Sequence, residues 1–158
     1  GSDSSGGAGI QADLKTFCAF GVYGATAITA VTAQNTTGVQ SVFAVPANTV
    51  SEQIKSVLAD LDVAAIKIGM LANVAVIDAV ANRVSDAGGK PLIIDPVMVA
   101  TSGDVLLENN AVLALTSRLF HHACVITPNL GEAAVLLNGR PARTEYEMLS
   151  QARELLKF

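Results

Sequence analysis

Three short apolar runs alternate with segments patterned at helical spacing: "AAIKIGM" at 64–70, "PLIIDP" at 91–96 and "ACVITP" at 123–128. No other feature of the chain constrains its fold as strongly. Each run has the length and apolar character of a buried strand. Strand, helix, strand, helix, strand, helix implies βαβ units, hence a parallel sheet with helices on its faces. Asn73 caps the first helix, which carries Val74, Ile77, Val80 and Val84 and closes at Gly88 and Gly89. Asn109 or Asn110 starts the next, running to about His121, and Asn129 starts one that ends at "NGRP". Thr144 with Glu147 forms a capping box before a last helix bearing Met148, Leu149, Ala152, Leu155 and Leu156.

The first third reads differently. Ile10, Leu14 and Phe17 predict a helix over 9–20, ended by Gly21. Residues 23–34 are rich in Thr, Val and Ile and predict a strand; "NTTG" is a turn and 39–45 a second strand. Thr49 with Glu52 is a capping box ahead of a stripe of Val50, Ile54, Val57, Leu58 and Leu61. No repeat, low-complexity tract or Pro/Gly linker divides the chain. Three clear parallel strands are few for a sheet that must bury helices on both faces. The chain also opens inside a loop and stops after a helix, so the expectation is an incomplete domain.

Composition excludes several classes. The 158 residues support one core, and 51% apolar with 15% charged residues is not a disordered chain. A formal charge of −4, scattered rather than clustered, argues against a nucleic-acid binder. The longest weakly polar run, "AFGVYGATAITAVTA", is too short and too rich in Gly and Thr to span a membrane. Cys18 and Cys124 belong to no CxxC or Cys/His cluster, so no zinc site is indicated. Two lone thiols in a mostly buried pattern suit a reducing compartment, and a soluble cytoplasmic protein is expected.

The opening "GSDSSGGAGI" invites a phosphate-cradle reading. A P-loop needs Gly-x-x-x-x-Gly-Lys; Gly1, Gly6 and Gly7 are present, but Ala8 stands where Lys should be. Gly7, Gly9 and Ala12 fit a dinucleotide fingerprint, yet the carboxylate expected about 20 residues on is missing from "AITAVTA". What is left is either a tight loop whose amides and helix N-terminus face a polar ligand, or a structural turn. Asp95 ends a buried-looking strand, where open α/β sheets bind ligands; it equally suits a turn before Pro96. Asn129 and Glu132 read as a capping box, or as groups holding a hydrated Mg²⁺ beside nucleotide phosphates. Gln34, at a strand end, either faces water or offers a donor and an acceptor to a heterocycle edge. His121 and His122 close a helix and read as structural.

Taken in order, "GSDSSGGAGIQADLKTF", "AQNTTGVQSV", "KIGML", "DPVM", "SGD" and "TPNLGEA" resemble the hydroxymethylpyrimidine/phosphomethylpyrimidine kinases of thiamine biosynthesis, in the ribokinase-like superfamily. The resemblance covers essentially the whole chain. The first stretch is specific, whereas "NLGEA" alone indicates only the superfamily. The resemblance implies a three-layer α/β sandwich around a mostly parallel sheet, with 1–158 as the N-terminal and central part of one kinase domain. It places Gly1, Asp13, Gln34, Met70 and Val97 around the pyrimidine: Gln34 and Asp13 as polar anchors, Met70 and Val97 against the ring. Asp95, Asn129 and Glu132 would lie near the ATP phosphates, with Asp95 and Glu132 toward Mg²⁺. The strands before residue 46 would form a small lid and part of a homodimer contact.

The implied reaction is phosphoryl transfer from ATP to the hydroxymethyl group, then a second transfer onto the monophosphate. Such chemistry is mostly positioning and charge neutralisation. In the family the anion hole and the group beside the attacking oxygen come from a later Gly-Thr-Gly-Cys segment. That segment is absent here, as are the initial strand and the later strands, and neither cysteine has its context. No catalytic residue is therefore assigned, and no turnover is expected of these residues alone. Two other readings stay open: a pyridoxal kinase of the same superfamily, and a non-catalytic pyrimidine-binding fragment.

Overall fold

β3 (Ile66–Ile68), β4 (Leu92–Ile94) and β5 (Val125–Ile126) run parallel, with β4 in the middle. They come from a computed structural model that describes residues 1–98, 107 and 110–158. The stretch "SGD" and Asn109 lie outside the described residues. The crossovers are α3 (Val74–Asp86) between β3 and β4, and α4 (Ala111–Leu119) between β4 and β5. The α/β class and the parallel sheet expected from the alternation are both present. Each strand is shorter than its apolar run, although flanking residues still bond across the sheet: the Asp95 amide donates to the Ile68 carbonyl at 2.8 Å and the Thr127 amide to the Ile94 carbonyl at 2.9 Å.

The core forms where α2 (Ala47–Asp60), α3 and α4 cover one face of this sheet. Val50, Ile77, Leu92, Ile94 and Leu119 are fully buried there, and Ile68 is buried beside them. Successive strand residues point to opposite faces. Ile66 and Ile68 therefore face this core, while Lys67 faces away from it, toward α1 (Gly9–Ala19).

β1 (Ala30–Asn35) and β2 (Gly38–Ala44) make a separate antiparallel hairpin. The predicted strand over 23–34 is corrected here: only its end enters the hairpin. The part before Ala30 belongs to no strand, and at Ile28 the side-chain amide of Gln53 supplies the backbone's partners. It accepts from the Ile28 amide at 2.9 Å and donates to the Ile28 carbonyl at 3.0 Å.

Capping explains the other differences. Asn73 accepts from the Val76 amide as expected, and Gly88 and Gly89 take positive φ past the helix end. Thr49 and Glu52 form no box. α2 begins earlier, behind Pro46, whose carbonyl receives the Val50 amide. Asn110 precedes α4 in helical conformation and makes no side-chain cap. Thr144 accepts from the Glu147 amide before α6 (Glu145–Leu155), but Glu147 turns its carboxylate to the Arg143 amide and the Arg140 guanidinium, so only half a box forms.

Of the stripe expected on α6, Leu155 is buried while Met148, Leu149 and Leu156 are exposed. Met148, Leu155 and Leu156 line an apolar cleft of about 520 Å³ along the edge of β5. Cys18 and Cys124 are both exposed, against the buried pattern expected of them. No described helix is long and apolar enough to cross a membrane.

Candidate active site

The opening loop lies alongside β1 and is stitched to it by serines. The Ser2 amide donates to the Ala30 carbonyl at 2.8 Å, and the Ser2 hydroxyl accepts from the Thr32 amide at 3.1 Å. Two residues on, the Ser4 hydroxyl accepts from the Gln34 amide and donates to the Gln34 carbonyl. The period of two follows from the strand: residues 30, 32 and 34 turn the same edge to the loop. Serine side chains thus complete a ladder that the backbone alone cannot.

Between these serines, Asp3 points inward and is 2% exposed. Its carboxylate accepts from the amides of Ser5, Gly7 and Ala8 at 2.8–3.0 Å and from the Ser5 hydroxyl. Burial by itself pushes this carboxyl up; the hydrogen bonds from Ser5, Ala8 and Gly7 outweigh it and hold the group below the usual aspartate range. The amides of Gly7 and Ala8 are those a phosphate would seek at the start of α1, and the protein's own carboxylate already occupies them. The loop is no phosphate cradle, which removes both nucleotide-loop alternatives. Gly9 closes it at φ +57°, where a Cβ would come within 2.7 Å of the Gly1 carbonyl oxygen.

The loop brings Gly1 onto Met70. The Gly1 nitrogen lies 3.0 Å from Thr29 Oγ1, and the Thr29 hydroxyl donates to the Met70 carbonyl at 2.6 Å. A Cβ on Gly1 would lie 2.9 Å from the Met70 sulfur. Met70, just past β3, is buried; Val97, past β4, is partly buried beside Gly69. Gln34 sits where the hairpin register slips between Ala33 and Gln34. Such an irregularity re-aims a side chain. Its Oε1 lies 3.3 Å from the Thr32 hydroxyl.

Asp13 and Asp95 meet through Lys67. The ammonium is 2.6 Å from Asp13 Oδ1 and 3.8 Å from Asp95 Oδ2. Burial pushes the Asp95 carboxyl up, Lys67 pulls it down, and the charge on Asp13 pushes it up again, for a net rise. Lys67 and Asp3 are the two groups that sequence reasoning passed over. Lys67 had a signal: a lone charge inside the apolar run "AAIKIGM".

Asn129 and Glu132 form a complete capping box at the start of α5 (Leu130–Leu136), the structural role weighed for them. Glu132 is 6% exposed, and its second oxygen lies 3.4 Å from the Met98 amide. That contact ties α5 to the loop carrying Asp95 and Val97, although the two carboxylates keep separate partners. Among the described residues, no three His, Cys, Asp or Glu side chains converge as a metal cage. The donor type nonetheless fits Mg²⁺, which takes one or two carboxylates and fills its shell with water and phosphate oxygens. His121 and His122 lie in a 3-10 turn after α4, away from this region, with ring centroids 3.9 Å apart.

Comparisons with known proteins give the family and the fold. The hydroxymethylpyrimidine/phosphomethylpyrimidine kinase of Escherichia coli (strain K12) is 53% identical over 156 residues, covering 99% of this chain and 59% of the relative. The chain thus spans about three-fifths of that relative's length. The crystal structure of a phosphomethylpyrimidine kinase from Clostridium difficile superposes with a TM-score of 0.90 at 41% identity, covering 99% of this chain and 68% of that one. A pyridoxal kinase from Staphylococcus aureus, in complex with AMP-PCP and pyridoxal, superposes with a TM-score of 0.85 at 33% identity, covering 99% and 56%. The family described as phosphomethylpyrimidine kinase matches residues 3–158, and to that family, with its ribokinase-like fold, this chain belongs.

Proposed function

We propose that these residues form the pyrimidine side, and part of the magnesium side, of an ATP-dependent kinase acting on 4-amino-5-hydroxymethyl-2-methylpyrimidine and then on its monophosphate. The observation that carries the reading is the approach of Asp13 and Asp95 to one another through Lys67, with Met70 and Asp95 just past the C-terminal ends of β3 and β4 and Gly1 packed on Met70. Ligands of open α/β sheets bind at that edge. In this reading Met70 and Val97 pack on the ring, and Gln34 and Asp13 hydrogen-bond its polar edge. A small heterocycle needs such a mostly apolar pocket with a few placed polar groups. Asn129 holds Glu132 in place, and Asp95 and Glu132 approach the hydrated Mg²⁺ that accompanies ATP. When bound, that ion neutralises charge on the phosphates during transfer.

We place the enzyme in the cytoplasm as a homodimer. The hairpin face carrying Val31 and Phe43, 49% and 65% exposed, suits a contact between copies. Calorimetric titration with the pyrimidine tests the reading. Saturable binding that Gln34→Ala weakens is expected; a folded chain that takes up no pyrimidine refutes it. The likeness to the pyridoxal kinase supports a second substrate. Pyridoxal would then compete with the pyrimidine for one site.

A further inference from the structure

Lys67 is the middle residue of the three-residue strand β3, between Ile66 and buried Ile68. A β-branched apolar residue would suit that strand better. Its ammonium instead reaches carboxylates on two other elements, Asp13 on α1 and Asp95 past β4. Among the described residues, no other ion-pair group joins three elements of the fold. Stability does not account for it. The Lys67, Asp13 and Asp95 side chains are 31%, 28% and 34% exposed, and pairs this open to water add little.

We infer that Lys67 is a positioning residue: it fixes the Asp13 carboxylate for the pyrimidine and, by facing Asp95, holds a cation beside the carboxylate that approaches magnesium. The inference rests on the proposed function. Asp13 stands on a helix whose start is anchored to the opening loop by the bond from the Ile10 amide to the Gly1 carbonyl at 3.1 Å. The 2.6 Å contact with Lys67 sets the one freedom left, the rotation of the Asp13 side chain. Toward Asp95, at 3.8 Å, the same ammonium acts as a point charge that repels another cation.

The two arms predict effects of opposite sign. Lys67→Met weakens pyrimidine binding about tenfold, because Asp13 is released, and tightens Mg²⁺ binding several-fold, because a competing cation is gone. A merely structural lysine would move both the same way or neither. Both are read on the chain itself: pyrimidine by calorimetry, Mg²⁺ alone by the NMR shift of the Val97 amide, which donates to the Asp95 carbonyl at 2.8 Å. In an Asp13→Asn background, Lys67→Met has no further effect on pyrimidine binding. Lys67→Arg keeps pyrimidine affinity within about threefold. If Lys67→Met does not fold, Lys67→Gln, polar and uncharged, takes the same two measurements. Unchanged pyrimidine affinity, or weakened Mg²⁺ binding, in a folded variant overturns the inference alone. Absence of pyrimidine binding by the folded, unsubstituted chain overturns the proposed function and this inference with it.

Discussion

Replacing Asp3 tests the claim that the opening loop is organised by an internal carboxylate rather than by a ligand. Asp3→Ala removes the acceptor from three amides, those of Ser5, Gly7 and Ala8. An unsatisfied buried donor costs about 1–3 kcal/mol. Ser5, Gly7 and Ala8 are themselves exposed, so water replaces part of what is lost. The expected destabilisation is therefore about 2–4 kcal/mol rather than the full sum. With a urea slope of about 2 kcal/mol per molar, the unfolding midpoint falls by about 1–2 M. Asp3→Asn keeps the shape and one acceptor oxygen and should lose less.

The pH dependence has a definite sign. The folded-state pKa of Asp3 lies below its unfolded value, so its stabilisation is fully present above the ordinary aspartate range. It is lost as pH falls through the folded value, and the gap between wild type and Asp3→Ala closes there. Urea unfolding followed by circular dichroism at neutral and acid pH measures both effects. An Asp3→Ala midpoint equal to that of wild type at neutral pH would refute the reasoning, and so would a gap that widens on acidification.

Gly9→Ala forces a side chain into φ +57° and within 2.7 Å of the Gly1 carbonyl oxygen, so thermal melting should show a loss of about 1–3 kcal/mol. Because Gly1 rests on Met70, pyrimidine affinity should fall with it; unchanged melting and unchanged affinity would contradict the geometry. Gln53→Ala strips both partners from the Ile28 backbone and should cost about 1–2 kcal/mol. Hydrogen exchange reads it directly: the Ile28 amide loses protection while that of Leu61, bonded to the Val57 carbonyl, keeps it.

Several local features could be read before any coordinates, because short-range chemistry builds them. Asn129 and Glu132 stand three apart before a helix, and that spacing alone dictates the box they form. Asn73, Gly88 and Gly89 punctuate their helix for the same reason. The motifs from "GSDSSGGAGI" to "TPNLGEA" were enough to recognise the family. The misplaced features fail for one shared reason. Thr49 and Glu52 have the spacing of a cap, but the chain already turns helical behind Pro46, and spacing carries no information about where the preceding backbone comes from. Met148 and Leu156 have the period of a buried stripe, but period says which face is apolar, not whether anything covers it.

The sequence by itself determined the α/β class, the parallel pairing of the three short strands, most helix limits and the family. These follow from hydrophobic period and capping, which act within a few residues. Only the tertiary structure decided that Asp3 fills the amides a phosphate would have used, that Ser2 and Ser4 stitch the loop to β1, and that Lys67 joins Asp13 to Asp95. The partners in the last two cases are separated by 28 to 54 residues. A charge or hydroxyl shows in the sequence what it can bond, but its partner is chosen when burial of the apolar faces brings distant segments together.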